Sequence, residues 1–126
     1  MLNLYQEILM DHYRNPRNHG ILDVCNMRAE QRNSSCGDEV ICTGTIHKNV
    51  LVSIAFKGKG CVISQATASI ISEFVMHKPL DAILVLDKDD LINMIGMRLG
   101  PVRLLCGLLS LTALQLAISD YKQRNE

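Results

Sequence analysis

The chain has 126 residues, about the size of one domain, so residues 1–126 are expected to form a single unit. Its 13 basic and 13 acidic side chains give a formal net charge of zero, and it contains no Trp, 3 Tyr and 2 Phe. A basic surface or an aromatic stacking platform is therefore not expected, which argues against nucleic acid and anionic membranes as partners.

The N-terminal residues predict an amphipathic helix. Leu4, Ile8 and Leu9 lie close to one face at helical spacing over residues 2–14. Asn15-Pro16 ends this helix, because proline lacks a backbone donor and disfavours helix in the residue before it. We therefore expect the three apolar side chains to pack together against the rest of the fold.

Strands are predicted next. Residues 39–47 are rich in β-branched side chains, and apolar and polar residues alternate over 50–57. The polar insert His47-Lys48-Asn49 has the length of a turn, so these two strands are expected to form an antiparallel hairpin. Residues 26–32 are expected to form a third strand. The residues predicted to share one side of the 50–57 strand are Val50, Val52, Ile54 and Phe56.

The second half of the chain predicts helices over residues 62–77, 80–84, 89–95 and 101–123. The inner face of the last helix is predicted to comprise Val102, Leu105, Leu109, Thr112, Ala113 and Leu116. One helix, then strands, then helices is the order of an α+β fold, a small antiparallel three-stranded sheet packed against helices.

Cysteine usage indicates a reducing compartment. The 5 cysteines are odd in number and widely spaced, and the N-terminus lacks a basic segment followed by an apolar one. We therefore expect a cytoplasmic protein with reduced thiols. The longest uncharged stretch, residues 104–119, is shorter than the ~20 apolar residues of a membrane span, and we interpret it as a buried helix.

Three of the cysteines lie in segments that suit metal or sulfur chemistry. Cys36 stands in a turn-rich loop, where Gly37 allows a tight turn that places the Asp38 carboxylate near the thiol. Cys61 follows two glycines at a junction of strand and helix, beside Lys59, and a helix N-terminus favours a thiolate.

The third of these, Cys106, lies within the last helix, with Arg103 three residues earlier on the same face. Three thiols and a carboxylate would suit zinc, copper(I) or an iron–sulfur species. A buried cysteine is otherwise an ordinary small hydrophobe, which describes Cys42 in the middle of a strand, while Cys25 in a loop has no assignment.

The segments that carry these cysteines are Ser35-Cys36-Gly37-Asp38, Gly58-Lys59-Gly60-Cys61-Val62-Ile63-Ser64 and Pro101-Val102-Arg103-Leu104-Leu105-Cys106. They resemble, in order, the three cysteine motifs of the U-type iron–sulfur cluster scaffolds, a family that includes IscU, SufU and the N-terminal domain of NifU. Residues 4–18 also resemble the start of that family, so nearly the whole chain is covered. The resemblance implies an α+β fold of the SufE/IscU-like kind.

The resemblance further implies a scaffold or sulfur acceptor that is not an enzyme in its own right. It implies that Cys36, Asp38, Cys61 and Cys106 bind iron, a labile [2Fe–2S] cluster or zinc. A pyridoxal-phosphate-dependent cysteine desulfurase would deliver sulfur as a persulfide, and apo iron–sulfur proteins or a downstream scaffold would receive the product. We expect Cys36 to accept the persulfide first, because a loop beside glycine can swing out, with Cys106 as the alternative acceptor.

Departures from the family pattern bear on the subtype. Leu105 stands where Isc-type members have His, which favours the Suf type, whereas Suf-type members usually carry an insertion for which the Cys61–Cys106 spacing leaves no room. Residues 99–103 resemble a degraded copy of the Isc-type chaperone-binding motif, with Gly100 and Arg103 in place of Pro and Lys. This departure counts against binding of an Hsp70-type chaperone.

Other readings of the sequence remain open. Within the family, the chain could be a SufU-type zinc-dependent sulfur-transfer protein that relays sulfur to a separate scaffold. Outside it, the domain could hold a purely structural zinc. A cysteine hydrolase would leave two thiol motifs unexplained. The remaining candidates have simpler roles: the Asp87–Asp90 run as a helix cap, and the four histidines, His12, His19, His47 and His77, as surface or core residues.

Overall fold

The computed structural model describes residues 3–35 and 37–125 and confirms the predicted α+β architecture. The strands, β1 (Met27–Asn33), β2 (Asp38–His47) and β3 (Val50–Lys59), form an antiparallel sheet with the order β1-β2-β3. Around it lie the helices α1 (Leu4–Arg14), α2 (Val62–Val75), α3 (Leu80–Leu84), α4 (Lys88–Ile95) and α5 (Pro101–Arg124).

Side-chain caps define where two of the helices begin. At α1, the Asn3 side chain accepts a hydrogen bond from the backbone N–H of Gln6, whose side chain accepts one from the N–H of Asn3. Asp87 and Asp90 form the same reciprocal arrangement at α4, which confirms the predicted helix cap. Gly96 ends α4 with a φ of 81°, a left-handed conformation that glycine adopts without strain.

Two helices pack directly on the sheet, and α1 packs on one of them. α5 lies against β1 and β2, and α2 lies against β3 and α5. α1 reaches the fold through α2. Burial along this interface is extensive, with Leu51, Ile71, Leu114 and Ile118 among the side chains removed from solvent. The packing of α2 on α5 sets the distance between the two cysteines that these helices carry.

The predicted inner face of α5 is wrong in part. Leu109 and Ala113 are buried, whereas Val102, Leu105, Thr112 and Leu116 are exposed. Apolar residues occur on every side of this helix, so periodicity alone does not select the side that meets the sheet. The buried stripe comprises Cys106, Gly107, Leu109, Ser110, Leu111, Ala113, Leu114, Ala117 and Ile118.

The predicted faces of α1 and β3 also need correction. Leu4 and Ile8 are exposed and only Leu9 of the three is buried, because α1 is covered along one narrow stripe by α2. In β3 the alternation breaks at Val52, which is exposed while Leu51 is buried. The pairing with β2 shifts by one residue here, and this β-bulge exchanges the two faces of the strand.

α5 is long and apolar enough to cross a membrane by length and composition alone. Half of its most apolar stretch is buried inside the fold, against the sheet and α2. This is the environment of a core helix, in agreement with the interpretation of residues 104–119 as a buried helix.

Candidate metal and sulfur site

The hairpin of β2 and β3 brings Asp38 next to Cys61. β2 begins at Asp38, and the pairing of Glu39 with Lys59 sets the start of β2 against the end of β3. Asp38 is only 2% exposed, although it stands at a strand end. Its carboxylate lies where β3 ends and the chain turns into α2.

Cys61 is the N-cap residue of α2, as the strand–helix junction predicted. Its backbone N–H donates a hydrogen bond to Oδ1 of Asp38 at 3.2 Å, and its Sγ lies 3.6 Å from Oδ2 of the same carboxylate. The backbone N–H of Ser64 donates to the Cys61 sulfur at 3.5 Å. The helix N-terminus therefore supplies a hydrogen-bond donor to the lone pairs of a sulfur ligand.

Cys106 approaches the same point from α5. It is buried, and the packing of α5 on α2 places it beside Cys61. One ligand atom from each of Asp38, Cys61 and Cys106 lies within 4.8 Å of the others. The fold thus brings together three of the four predicted site residues, although they stand far apart in the sequence.

Cys36, the fourth predicted site residue, lies outside the described residues. Its neighbours belong to the connection between β1 and β2, where the N–H of Gly37 donates to the carbonyl oxygen of Asn33 at 2.8 Å. Gly37 has a φ of 76°, so this tight connection uses a conformation that suits glycine. The turn leads directly into Asp38.

One pair of ligand atoms has the separation that a tetrahedral metal ion requires. Zinc–sulfur bonds of about 2.3 Å and zinc–oxygen bonds of about 2.0 Å at tetrahedral angles require a sulfur–oxygen separation of roughly 3.5 Å. The Cys61 sulfur and Oδ2 of Asp38 are 3.6 Å apart. Thiolates with one carboxylate suit zinc and iron–sulfur species, so the chemistry of the ligand atoms and their spacing agree.

The site is open on one side. Cys61 is exposed, and a groove of about 610 Å³ borders both Cys61 and Cys106. Its walls come from α1, the start of α2, the α4–α5 connection and the start of α5, and Arg103 lines it as well. A reactant or a side chain of another protein therefore has a path to both sulfurs.

Cys25 and Cys42 lie outside the described ligand group, and Lys59 has an acidic neighbour. The ammonium group of Lys59 lies 3.9 Å from the carboxylate of Glu39. Cys42 is fully buried, as expected of a small hydrophobe, and burial raises the pKa of its thiol. Cys25 is exposed in its loop.

His12, His19, His47 and His77 do not belong to the described group of potential metal ligands. Within residues 3–35 and 37–125, the group of potential metal ligands around Cys61 contains no histidine. His12 is buried against Ser69 instead. A cysteine hydrolase requires a histidine base beside its nucleophilic thiol. The described ligand group around Cys61 contains no such histidine.

Two residues of the site were missed by the sequence reasoning. A Cβ on Gly60 would lie 2.6 Å from Oδ1 of Asp38 and 2.5 Å from Oγ of Ser64, so both side chains pack directly against this glycine. Ser64 also donates its hydroxyl hydrogen bond to the carbonyl oxygen of Cys61 at 3.0 Å. Counting the hairpin register back from the turn at His47 to Val50 gives Asp38 opposite Lys59, one residue short of Gly60, because the bulge at Val52 adds a residue to β3.

Comparisons with known proteins identify the family. Residues 4–126 match the model of the NifU-like N-terminal domain. The zinc-dependent sulfurtransferase SufU of Bacillus subtilis is 30% identical over 139 aligned positions, which cover 97% of this chain and 94% of that protein. The iron–sulfur cluster assembly scaffold protein IscU of Aquifex aeolicus is 34% identical over 119 positions, covering 93% and 75%.

A solved structure gives the same result. The crystal structure of a putative iron–sulfur cluster assembly scaffold protein for the SUF system, from Fervidobacterium islandicum, superposes with a TM-score of 0.75 at 26% identity, and the match covers 89% of this chain and 94% of that one. The sheet, the helices and the family model agree. The chain belongs to the NifU-like N-terminal domain family of iron–sulfur cluster assembly proteins.

Proposed function

We propose that this protein is an iron–sulfur cluster assembly scaffold that binds iron, a labile [2Fe–2S] cluster or zinc through Cys36, Asp38, Cys61 and Cys106. The approach of Asp38, Cys61 and Cys106 to within 4.8 Å carries the proposal. Covalent geometry supports the inclusion of Cys36, because two residues span at most about 7 Å and Cys36 is two residues from Asp38. The carboxylate is the harder and more exchangeable ligand, which suits a site that must also release its cargo.

The sulfur would arrive as a persulfide on a pyridoxal-phosphate-dependent cysteine desulfurase. A thiolate of this protein attacks the outer sulfur of that persulfide, a new sulfur–sulfur bond forms, and the donor cysteine leaves as a thiolate. Cys36 is the proposed first acceptor and Cys106 the alternative. The burial of Cys106 supports this order, because a buried helical sulfur is harder to present to a second protein.

The second candidate is a zinc-dependent sulfurtransferase that relays sulfur to a separate scaffold. The similarity to SufU and the Leu105 side chain favour it. The alignment with SufU, however, spans 139 positions against the 126 residues of this chain, so it contains positions of SufU that this chain lacks. This difference agrees with the missing insertion and favours the scaffold.

A purely structural zinc site is less consistent with the geometry. Structural sites are closed by their protein ligands, whereas Cys61 is exposed and the groove reaches the thiols of Cys61 and Cys106. An open site suits exchange with partner proteins. We propose the desulfurase and apo iron–sulfur proteins, or a downstream scaffold, as these partners, with the cytoplasm as their location and no nucleic acid or membrane involved. In this role the protein has no turnover of its own.

The deciding experiment is metal analysis combined with an anaerobic absorption spectrum. The purified protein is incubated with a cysteine desulfurase and cysteine, and tryptic peptides are searched by mass spectrometry for one added sulfur. A second sample also receives ferrous iron and a thiol reductant, which supplies the electrons that convert persulfide sulfur to sulfide. The visible bands of a [2Fe–2S] cluster and an adduct on Cys36 support the scaffold. Tightly held zinc with the same adduct and no cluster supports the sulfurtransferase. Tightly held zinc with no adduct on any cysteine contradicts both and leaves the structural site.

A further inference from the structure

Gly60 occupies a position where the backbone does not require glycine. It lies outside the left-handed region, unlike Gly20, Gly37 and Gly96, so a residue with a side chain could adopt the same conformation. A Cβ at Gly60 would nevertheless lie 2.6 Å from Oδ1 and 2.7 Å from Cγ of Asp38. The space above Gly60 is therefore filled by the carboxylate itself.

The two oxygens of the Asp38 carboxylate have different contacts. Oδ1 accepts the hydrogen bond from the Cys61 N–H at 3.2 Å, and Oδ2 lies 3.6 Å from the Cys61 sulfur. Ser64, which is 7% exposed, closes the other side, with its Oγ 3.8 Å from the same sulfur. Gly60 therefore leaves the space that the buried carboxylate occupies, and Ser64 packs against the same glycine.

We propose that Gly60 is a positioning residue that fixes Asp38 as a ligand through one oxygen. The missing side chain lets Oδ1 stay on the Cys61 N–H, which leaves Oδ2 as the oxygen for a metal ion. A carboxylate held through one oxygen is a weaker and more exchangeable ligand than one bound through both, so Gly60 acts on metal release. This inference rests on the proposed function for the identity of the ligand, but its hydrogen-bonding part concerns the metal-free protein.

The effect of a side chain at this position follows from the contact distances. In Gly60→Ala, Ser64 can rotate its hydroxyl away, but the short, buried Asp38 side chain has to move and lose the Cys61 N–H. Gly107→Ala is the matched control, since Gly107 directly follows Cys106 and its Cβ would meet only ordinary contacts of 3.4 Å and more. Both variants change glycine to alanine beside a site cysteine.

The test uses cobalt(II) in place of zinc, because its visible bands report the ligand atoms directly. We expect the cobalt spectrum of Gly60→Ala to differ from that of the wild type, and the double variant Gly60→Ala/Asp38→Ala to give the spectrum of Asp38→Ala, because Gly60 acts through Asp38. Gly107→Ala should keep the wild-type spectrum. A wild-type spectrum for Gly60→Ala, or a double variant whose spectrum differs from that of Asp38→Ala, would overturn the proposal.

A metal-free measurement separates this inference from the proposed function. Amide hydrogen exchange at Cys61 should become about tenfold faster in Gly60→Ala, the loss expected for one hydrogen bond to a charged acceptor. A wild type that binds no cobalt would contradict the proposed metal site. Unchanged amide exchange at Cys61 in Gly60→Ala would contradict the positioning role, whether or not the metal site exists. If Gly60→Ala does not fold, adding Asp38→Ala to it should restore folding, because the smaller side chain frees the space that the new Cβ needs. A double variant that still does not fold would contradict the positioning role.

Discussion

Nδ1 of His12 lies 2.7 Å from Oγ of Ser69, in a buried contact that fastens α1 to α2. The Ser69 oxygen accepts a hydrogen bond from the backbone N–H of Arg17 at 2.8 Å, which leaves the hydroxyl proton for His12. With Nδ1 as the acceptor of that proton, the imidazole is neutral. Because α2 begins next to Cys61 and α1 forms a wall of the thiol groove, the contact joins two elements that shape the site.

The stability of the fold is therefore expected to depend on the protonation of His12. Burial lowers the pKa of His12, the charge of Arg17 lowers it further, and Glu73 and Asp11 act in the opposite direction. The stabilisation is complete above the unfolded-state pKa of 6.5 and is lost as the pH falls from there through the folded-state pKa. Urea denaturation at a series of pH values should show this loss in the wild type.

The variant that isolates this effect is His12→Asn, whose side chain can still bond to Ser69 but does not titrate. It should be less stable than the wild type at pH 8 and should lose less stability on acidification. His47→Gln, at an exposed position, should keep the wild-type pH dependence. If His12→Asn loses as much stability on acidification as the wild type, other titratable groups cause the pH dependence.

The proposed ligand set predicts which cysteines are needed for zinc. Replacing Cys36, Cys61 or Cys106 by Ser should abolish stoichiometric zinc, because each change removes a thiolate from a site with few ligands. Elemental analysis after gel filtration measures the metal content. Metal binding should also raise the melting temperature of the wild type, since only the folded chain assembles the site.

Cys25→Ser and Cys42→Ala serve as controls for this series. Cys25 is exposed in a loop and Cys42 is buried in β2, and neither belongs to the ligand group. Both variants should retain full zinc, although Cys42→Ala should lose some stability through the buried volume that it removes. Full zinc retention in Cys106→Ser would refute the ligand set.

Asp38→Ala is expected to slow the release of a cluster. It removes the exchangeable oxygen ligand and leaves sulfur ligands, which hold iron more firmly. A cluster reconstituted anaerobically on this variant should persist longer and transfer more slowly to an apo acceptor, followed by absorbance of the acceptor. Asp23→Ala, at an exposed loop position, is the control. Transfer at the wild-type rate or faster would contradict the assigned role of the carboxylate.

The sequence predicted the order and type of the elements because their boundaries are local. Asn15-Pro16 stops α1, Asp87 caps α4, and the insert at 47–49 turns the hairpin. The buried faces were harder to predict. One extra residue at Val52 reverses the sides of β3, and no pattern in a single sequence marks such a bulge.

The site shows the same division between local and non-local information. The motifs around Cys61 and Cys106 were visible in the sequence, yet the separation of the two sulfurs depends on how α5 packs against α2. Asp38 was expected near Cys36, which lies outside the described residues, and its contact with Cys61 depends on the strand register, which brings their backbones together. The space that Gly60 leaves for Asp38 is a tertiary contact, which composition does not reveal.

Gly107→Ala should stabilise the protein. Glycine inside a helix costs about 1 kcal/mol relative to alanine, and Gly107 is buried within α5. A Cβ there would be 3.4 Å from Leu91 and 3.6 Å from Leu99, distances that require little or no movement. Chemical denaturation should therefore show a gain of up to about 1 kcal/mol. A loss of stability would mean that α5 and its neighbours pack too tightly for a methyl group.

The final prediction concerns Leu105, which distinguishes the two subtypes. Successive helical residues point about 100° apart, and Leu105 is 60% exposed whereas Cys106 is buried. A leucine side chain has no N, O or S atom to bind a metal ion, so we expect the wild type to bind zinc more readily than it builds a stable [2Fe–2S] cluster.

An imidazole at this position could reach the metal after a small adjustment of the first turns of α5. Leu105→His should therefore raise the yield of cluster relative to zinc when the protein is reconstituted anaerobically with iron and sulfide. Leu116→His places the same side chain on the same helix, at another exposed apolar position far from the sulfurs, and should behave as the wild type. A robust cluster in the wild type that Leu105→His leaves unchanged would assign the protein to the Isc-type scaffolds.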